Sequence, residues 1–388
     1  MSKNILLGIT SSIASYKIYD LIRLYRKNNY NVKVVLTKNS LNFVSPLVIE
    51  TLSNNKCYFE QFNSRDEVEH IELATWADIF VIAPISANTI SKFATGIADN
   101  LLTSIFCAYL GYKKPILLAP AMNTGMWENP IIQDNIKKLI SYKCDLIEPE
   151  DGFLACNTQG KGRLADIELI YQKSLRLLYQ NKKNNNKKIL ITLGGTKEKI
   201  DSVRYITNSS SGKMGTALAD WAYKLGYKVS VISTIELKRN YPIIQINTAL
   251  EMLNEIQKQD YDYLIMSAAV GDFRAKEESQ TKISKENIEN EFNLKLIKNP
   301  DVVSTIAKNK TENQKIIGFC LTDTDLINCA KSKLINKNLD YIIANDVNTA
   351  LNTNQNKVTI IEKSGKIIDI DLDTKENIAH KILEVVCD

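Results

Sequence analysis

The chain has 388 residues, 44% of them hydrophobic, which predicts two cores of ordinary size rather than one. A formal charge of +5, from 49 Lys and Arg against 44 Asp and Glu, is too mild to imply a nucleic-acid partner. No apolar run approaches the roughly 20 residues of a membrane helix, no signal-peptide core precedes the first strand, and seven Cys without CxxC or zinc spacing argue against disulfides and structural metal, so a cytoplasmic protein is expected.

Residues 4–9 read as a buried strand, and Gly8-Ile9-Thr10-Ser11-Ser12-Ile13 then turns into a helix expected to reach Lys27. A hydroxyl-rich turn at a helix N-terminus offers N–H groups and hydroxyls to an anion such as phosphate. Its spacing is not GxGxxG, so a mononucleotide phosphate fits better than a dinucleotide, and a plain Ser cap is as good a reading. Residues 32–36 make the second strand, ending on Thr37. His70 follows, one of only two His in the chain, with the side chain best suited to moving a proton near neutrality. The other, His380, falls in a C-terminal amphipathic helix and is expected at the surface.

A third strand at 79–83 has Ser86 and Asn88 just past its end, and a helix opens near Asn100. Small and amide side chains at successive strand ends suit a flat heteroaromatic ring such as a flavin. Residues 115–119 read as a buried parallel strand that Pro120 stops, which places Met122 and Asn123 at a carboxyl end, where open α/β sheets bind ligands. Asn123 can donate to a carboxylate with its oxygen held by backbone, or simply cap the next helix. After a helix at 133–141 and a strand near Leu146, residues 151–164 hold three Gly, Cys156, Lys161 and Arg163. This composition predicts a flap whose thiol the nearby cations make more acidic.

Ser12-Ile13-Ala14, His70, Pro84 to Asn88, Pro120-Ala121-Met122-Asn123, and Ala155-Cys156 with Gly160-Lys161-Gly162-Arg163 together resemble the FMN-dependent phosphopantothenoylcysteine decarboxylases. These are flavodoxin-like, homo-oligomeric Cys decarboxylases, and the resemblance spans about residues 1–180. It implies FMN held by Gly8, Ser11, Ser12, Ile13, Thr37, Ser86 and Asn88. It implies His70 as base, Asn123 beside Met122 on the substrate carboxylate, and the Cys156 thiol completing the reaction. The flavin takes electrons from the cysteinyl carbon, which eases loss of CO₂. The family's Ala-Cys-Gly is Ala-Cys-Asn157 here and its GRM is Gly162-Arg163-Leu164, so flap geometry turns on whether Asn157 takes a positive φ.

Residues 181–187 are polar and read as a linker, after which strand–turn–helix patterning restarts at 189–193 with Gly194-Gly195. Ser209, Ser210, Ser211 and Gly212 then open a helix with Met214, Leu218, Trp221, Ala222 and Leu225 on one face. With Arg204 and Lys213 close by, that N-terminus is an anion site on helix-dipole grounds. Further strands are expected at 228–232, 243–246, 263–269, 316–319 and 339–344, and helices at 249–257, from 301, and from about Asp325 with Lys333 and Lys337. Residues 277–290 read as a solvated charge run. A hairpin at 358–361 and 366–370 precedes a last helix, opened by a capping-box-like Asp373 and Glu376.

About residues 188–388 resemble the Rossmann-like, CTP-using phosphopantothenate–cysteine ligases that bacteria fuse behind the decarboxylase. Arg204 to Gly215, Ala268 to Arg274, Lys282, Asn299-Pro300-Asp301, Gly318-Phe319, Lys333, Lys337 to Asp340 and Ala344-Asn345-Asp346 carry the resemblance. It implies Mg²⁺, an acyl-cytidylate held by Asn208, Lys282 with Lys333 and Lys337 on the triphosphate, and Asp272 on the nucleotide. Arg204, Ser267, Ala268, Pro300, Asp301, Val302, Val303 and Phe319 are the remaining implied substrate contacts. Three departures lie at the implied nucleotide site: Ser284 in the family's KxKK, Gly271 in its AAVADF, and Cys320-Leu321-Thr322-Asp323 in place of its AAET. They make ligase rate and nucleotide choice open questions, and Cys320 and Cys329 acquire no role.

The expectation is a bifunctional, homo-oligomeric enzyme of two α/β domains, flavodoxin-like at 1–180 and Rossmann-like at 188–388, taking 4'-phosphopantothenate to 4'-phosphopantetheine. One alternative keeps only the decarboxylase active, with an inactive second domain. Another is a non-enzymatic flavin-binding regulatory subunit, against which the presence of His70 and Cys156 counts.

Overall fold

Short apolar runs alternate with amphipathic helices, and in the computed structural model they fold into two α/β units, Met1–Tyr179 and Gln180–Asp388. The structure describes residues 2–61, 68–155, 157–284, 291–322, 325–346 and 355–387.

In the first unit, β1 (Asn4–Ile9), β2 (Asn31–Leu36), β3 (Cys57–Tyr58), β4 (Ile79–Ile85), β5 (Ile116–Pro120) and β6 (Asp145–Leu146) form one parallel sheet in the order β3-β2-β1-β4-β5-β6. Without the two-residue edge strand β3 this is the flavodoxin-like 2-1-3-4-5 order. Every residue of β4 is buried, as a central strand covered on both faces requires. Ile5, Leu7 and Ile9 pack with Tyr25 of α1 (Ile18–Lys27) on one face, while Leu6, Phe80 and Ile82 pack with Phe93 and Phe106 on the other. The remaining helices are α2 (Pro46–Ser53), α3 (Glu69–Trp76), α4 (Ala87–Thr95), α5 (Leu101–Gly111), α6 (Thr124–Trp127), α7 (Pro130–Ser141) and α8 (Ile167–Tyr179). Between β6 and α8 the expected flap is a hairpin, β7 (Glu150–Phe153) against β8 (Gln159–Arg163).

The second unit has β9 (Lys188–Leu193), α9 (Lys213–Lys224), β12 (Lys228–Ser233), β13 (Ile243–Gln245), α10 (Ala249–Lys258), β14 (Tyr263–Met266), α11 (Val302–Lys308), β17 (Lys315–Thr322), α12 (Leu326–Asn336), β18 (Tyr341–Asp346), β19 (Gln355–Glu362), β20 (Ile367–Thr374) and α13 (Lys375–Val386). Its sheet runs β13-β12-β9-β14-β17-β18-β19-β20, with the first six strands parallel and the last two antiparallel, a Rossmann-type order extended by a hairpin. Two small antiparallel pairs, β10 (Lys197–Lys199) with β11 (Tyr205–Thr207) and β15 (Phe273–Ala275) with β16 (Leu296–Lys298), were not legible as strands; each has only three residues per side.

Three local expectations are corrected. The strand expected over 263–269 stops at Met266, because the Ser267 hydroxyl turns back to donate to the Thr192 carbonyl at 2.7 Å. The last helix is capped by Thr374, whose hydroxyl accepts from Asn377 N at 3.3 Å; Asp373 is instead held by Lys381 at 2.9 Å and by the Asn377 amide at 2.8 Å. His380 is half-buried, stacked on Trp221 at 4.2 Å, because α13 packs against α9. Among the described residues no helix is long and apolar enough to cross a membrane.

Candidate active sites

In the first unit the crossover direction changes between β1 and β4, and that switch opens the crevice at their carboxyl ends. Thr10, fully buried, joins the two ends: its hydroxyl donates to the Pro84 carbonyl at 2.9 Å and accepts from Ser86 N at 2.8 Å. Ser12 accepts from Ala14 N, Ser86 accepts from Thr89 N, and Ser11 lies beside them on the turn. The capping reading therefore holds at Ser12, and Ser86 caps α4 in the same way. Thr37, at the end of β2, has a buried hydroxyl with no hydrogen-bond partner, the state expected of a group reserved for a ligand. Asn88 is exposed on the first turn of α4, and Ile13 is 61% exposed although apolar. Gly8 lies inside the strand with its missing side chain facing the core, where an added Cβ would sit 2.7 Å from Leu102 Cδ1; only its backbone can serve a ligand.

Helices between parallel strands run antiparallel to them, so their N-termini return to the carboxyl edge. His70, in the first turn of α3, therefore shares that edge with Asn123. His70 is half-buried, and no described residue hydrogen-bonds its imidazole. Its neighbour Glu69 is buried and paired with Lys56 at 3.1 Å. Asn123 Oδ1 accepts from Gly125 N at 2.8 Å and so caps α6, which directs the NH₂ side away from that helix. Capping and ligand recognition are complementary uses of the two ends of one amide.

The β7–β8 hairpin is clipped onto this loop. Met122 N donates to the Gly162 carbonyl at 3.0 Å, and a Cβ at Gly162 would lie 2.2 Å from the Met122 carbonyl oxygen. Gly160 is equally constrained, with Thr124 Oγ1 2.5 Å from where its Cβ would be. Asn157 adopts φ 61°, the left-handed conformation that Asn tolerates best after Gly, so this departure keeps the turn. Cys156 lies outside the described residues. Lys161 pairs with Glu148, and Arg163 with Glu150 at 3.8 Å across the hairpin register, so these cations are engaged by carboxylates of their own segment.

We expect Gly162→Ala to lift the hairpin off Met122 and to lower turnover at the first unit's crevice by about tenfold or more, since misplacing a site by about 1 Å costs on the order of 10²-fold. Turnover at the second unit in the same preparation should be unchanged; equal loss of both would mean general unfolding.

In the second unit the switch falls between β9 and β14, and a cavity of about 900 Å³ opens there. It collects Asn208, Ser267, Ala268 and Asp272 from one side, and Pro300, Asp301, Val302 and Val303 from α11 and the turn before it. Phe319, Lys333 and Lys337 come from β17, α12 and its C-terminus. Arg204 and Lys282 are not among its lining residues. Arg204 instead pairs with the buried Asp201 and donates to the Ile283 carbonyl at 3.2 Å, while Ile283 N donates to Asp201 at 3.2 Å. This clasp fixes the segment that carries the exposed Lys282. Burial pushes the Asp201 carboxyl up, but the amides of Val203, Arg204 and Ile283 and the Arg204 guanidinium bring it down to about 2, so the clasp opens only as pH falls from about 4 through 2.

Asn208 Nδ2 donates to the Val270 carbonyl at 3.0 Å, and Gly195 is required beneath it, since a Cβ there would come within 2.5 Å of the Asn208 carbonyl. Asn299 ties down the far wall, donating to Gly271 O at 2.7 Å and accepting from Arg274 at 2.9 Å. Gly271, where the family has Ala, donates to Thr196 at 2.8 Å; a Cβ would stand 3.2 Å from Glu198 Cγ, a tight fit that glycine avoids. Asp301 caps α11 through Ser304 N at 3.0 Å and pairs with Lys337 at 2.9 Å. Burial raises its carboxyl, and the Ser304 amide and Lys337 outweigh that to hold it below the usual range.

Five lysines, at 213, 298, 333, 337 and 375, line this cleft against the aspartates at 272 and 301, which gives it an excess of positive charge. Lys375 was not foreseen: only 7% exposed at the start of α13, it has its ammonium disfavoured by burial and by Lys213. Nor was the detail at Asn345, whose Oδ1 is buried in the cleft wall without a partner. An unpaired buried acceptor of this kind is detectable only once the strand is folded.

Residues 1–179 match the family described as Flavoprotein, and residues 184–388 match the DNA/pantothenate metabolism flavoprotein C-terminal domain family. The chain is 43% identical to the coenzyme A biosynthesis bifunctional protein CoaBC of Borreliella burgdorferi, covering 99% of each. It is 39% identical to the protein of the same name from Haemophilus influenzae, over 94% of this chain and 92% of that one. It is also 36% identical, over 88% of itself and 98% of the relative, to a cysteine/cysteine sulfinic acid decarboxylase from an unknown prokaryotic organism.

Proposed function

The chain belongs to the CoaBC family of bifunctional coenzyme A biosynthesis proteins, as a phosphopantothenate–cysteine ligase and a phosphopantothenoylcysteine decarboxylase, and from that premise we propose how each unit works. The observation that carries the ligase reading is the lysine-lined cleft at the second switch point.

There a carboxylate must be made reactive. The carboxylate of 4'-phosphopantothenate attacks the α-phosphorus of CTP, a P–O bond breaks, and pyrophosphate leaves; the cysteine amine then attacks the acyl carbon and CMP departs. Lys333 and Lys337 take up the charge of the triphosphate, for which Lys337 exchanges Asp301 for phosphate. The Asn208 amide, oriented by Val270, holds the acyl-cytidylate. Asp272 is exposed in the cleft and meets the nucleotide or its Mg²⁺, which needs only one or two carboxylates when it arrives on phosphates. Among the described residues no cluster of three or more ligands forms a separate metal site. Asn345 Oδ1 accepts a donor from the bound ligand, and Lys282 reaches the triphosphate from the segment that the Asp201–Arg204 clasp positions.

In the first unit the orphan Thr37 hydroxyl and the Ser11–Ser12 turn fit an FMN phosphate, with Ser86 and Asn88 along the same edge. A flavin held there supplies a two-electron sink beside the substrate's cysteinyl carbon. Asn123 donates to the substrate carboxylate, His70 takes the proton, and the flap encloses the pair and brings Cys156 over the ligand. The exposed apolar side chains of Ile13, Met126 and Phe153 support contacts between copies of this unit in a homo-oligomer. The division proposed is 1–180, a linker at 181–187 and 188–388; Asn181 and Asn184 of that linker hydrogen-bond the Leu225 carbonyl, so these residues pack with the second unit.

The match to a cysteine decarboxylase favours a second reading, in which only the first unit turns over. One assay separates them: pyrophosphate release with 4'-phosphopantothenate, Mg²⁺ and either CTP or ATP, with and without cysteine. CTP-dependent release with a cysteine adduct is expected. A yellow protein that releases none with either nucleotide would leave the decarboxylase alone.

A further inference from the structure

We propose that Cys320 and Cys329 are a modifiable thiol pair, which a peroxide closes to a disulfide in the wall of the second-unit cleft, lowering that cleft's affinity for a nucleoside triphosphate. The affinity part rests on the nucleotide reading above.

The two sulfurs stand 3.8 Å apart. Cys320 is buried on β17 and lines the cleft; Cys329 is half-buried on α12, where an oxidant can reach it. Positions 329, 333 and 337 follow one another at four-residue spacing, so the second thiol shares a helix face with the two lysines of the cleft. Lys333 and Cys320 both line the cleft, so the ammonium and the sulfur face the same space. The thiol pair and the anion-binding cations are therefore one mechanical unit. Burial raises the Cys320 thiol, while the ammonium of Lys333 opposes that and favours its thiolate.

The chemistry closes without a further reactant. The Cys329 thiolate attacks one peroxide oxygen, the O–O bond breaks, and hydroxide leaves as water to give a sulfenic acid. The Cys320 sulfur then displaces the sulfenic oxygen, forming S–S and releasing a second water, so two thiols are oxidised as one peroxide is reduced. To bond, the sulfurs must close from 3.8 Å to about 2.05 Å. That draws the lysine-bearing face of α12 toward β17 and displaces Lys333 in the cleft wall.

The test uses the full chain, reduced and then treated with hydrogen peroxide, with the peptides mapped by mass and CTP-dependent pyrophosphate release measured before and after. A 320–329 cross-link two hydrogens lighter than the dithiol is expected, with KM for CTP raised by about tenfold, the loss of one charge-assisted contact. A thiol reductant should restore the original KM. Cys329→Ser should match the reduced enzyme and ignore peroxide, which separates this pair from oxidation elsewhere. No cross-link, or a cross-link with unchanged KM, would overturn the proposal. Absence of CTP-dependent release from the fully reduced chain would instead overturn the nucleotide reading of the cleft, and with it the predicted effect on affinity.

Discussion

Asn208→Asp abolishes coupling of cysteine to 4'-phosphopantothenate and leaves decarboxylation of supplied 4'-phosphopantothenoylcysteine intact. The Asn208 amide donates to the Val270 carbonyl at 3.0 Å, on the rim of a cleft built to receive anions. A carboxylate at that place has no proton to donate, repels the Val270 oxygen, and adds negative charge where a triphosphate and a substrate carboxylate must meet. Loss of one preorganised donor to a developing oxyanion costs about 10²–10³-fold, and the added charge deepens the loss. Asn208→Ala, which removes the donor without the charge, should fall between the variant and the parent. Both half-reactions are measured on one preparation, pyrophosphate release for the ligase and CO₂ release for the decarboxylase. Parallel loss of the two would contradict separate sites on separate units.

His70→Ala has the converse effect. Proton transfer by a positioned side chain contributes about 10²–10⁴-fold, so CO₂ release should drop by that order while pyrophosphate release stays at the parental rate. His70 is half-buried in the first turn of α3, and no described residue hydrogen-bonds its imidazole, so the substitution breaks no described hydrogen bond. Retained yellow colour would show that the flavin is still bound. A variant that decarboxylates at the parental rate would remove His70 from the chemistry and direct attention to the flap.

Much of this was legible in the chain itself, and the reasons are local. Continuous apolar runs such as Ile79–Ile85 announce strands buried on both faces, and the hydroxyl, amide and proline residues that follow them mark the carboxyl ends where a doubly wound sheet binds its ligands. Asn123, Ser86 and Asp301 could each be placed because strand ends and helix caps are written within a few neighbouring residues. The extent of a strand is less secure: β14 ends at Met266 because a serine 75 residues from its partner turns to bond it.

What the sequence determined by itself was therefore the alternation of elements, the strand ends and the residue types gathered at them, since periodicity and capping act over one or two turns of chain; the two switch points follow from strand order, which only the folded sheets set. Which of those residues meet was decided by the tertiary structure alone. Arg204, expected on substrate, is drawn to Asp201 and to Ile283, 79 residues away, because a buried carboxylate must be paired. Arg163 is met by Glu150 through hairpin register, and Lys161 by Glu148 just before the hairpin. Cys320 and Cys329 come within 3.8 Å because α12 packs on β17. Pairing across such separations depends on packing and on satisfying buried polar groups, and neither exists until the chain has closed on itself.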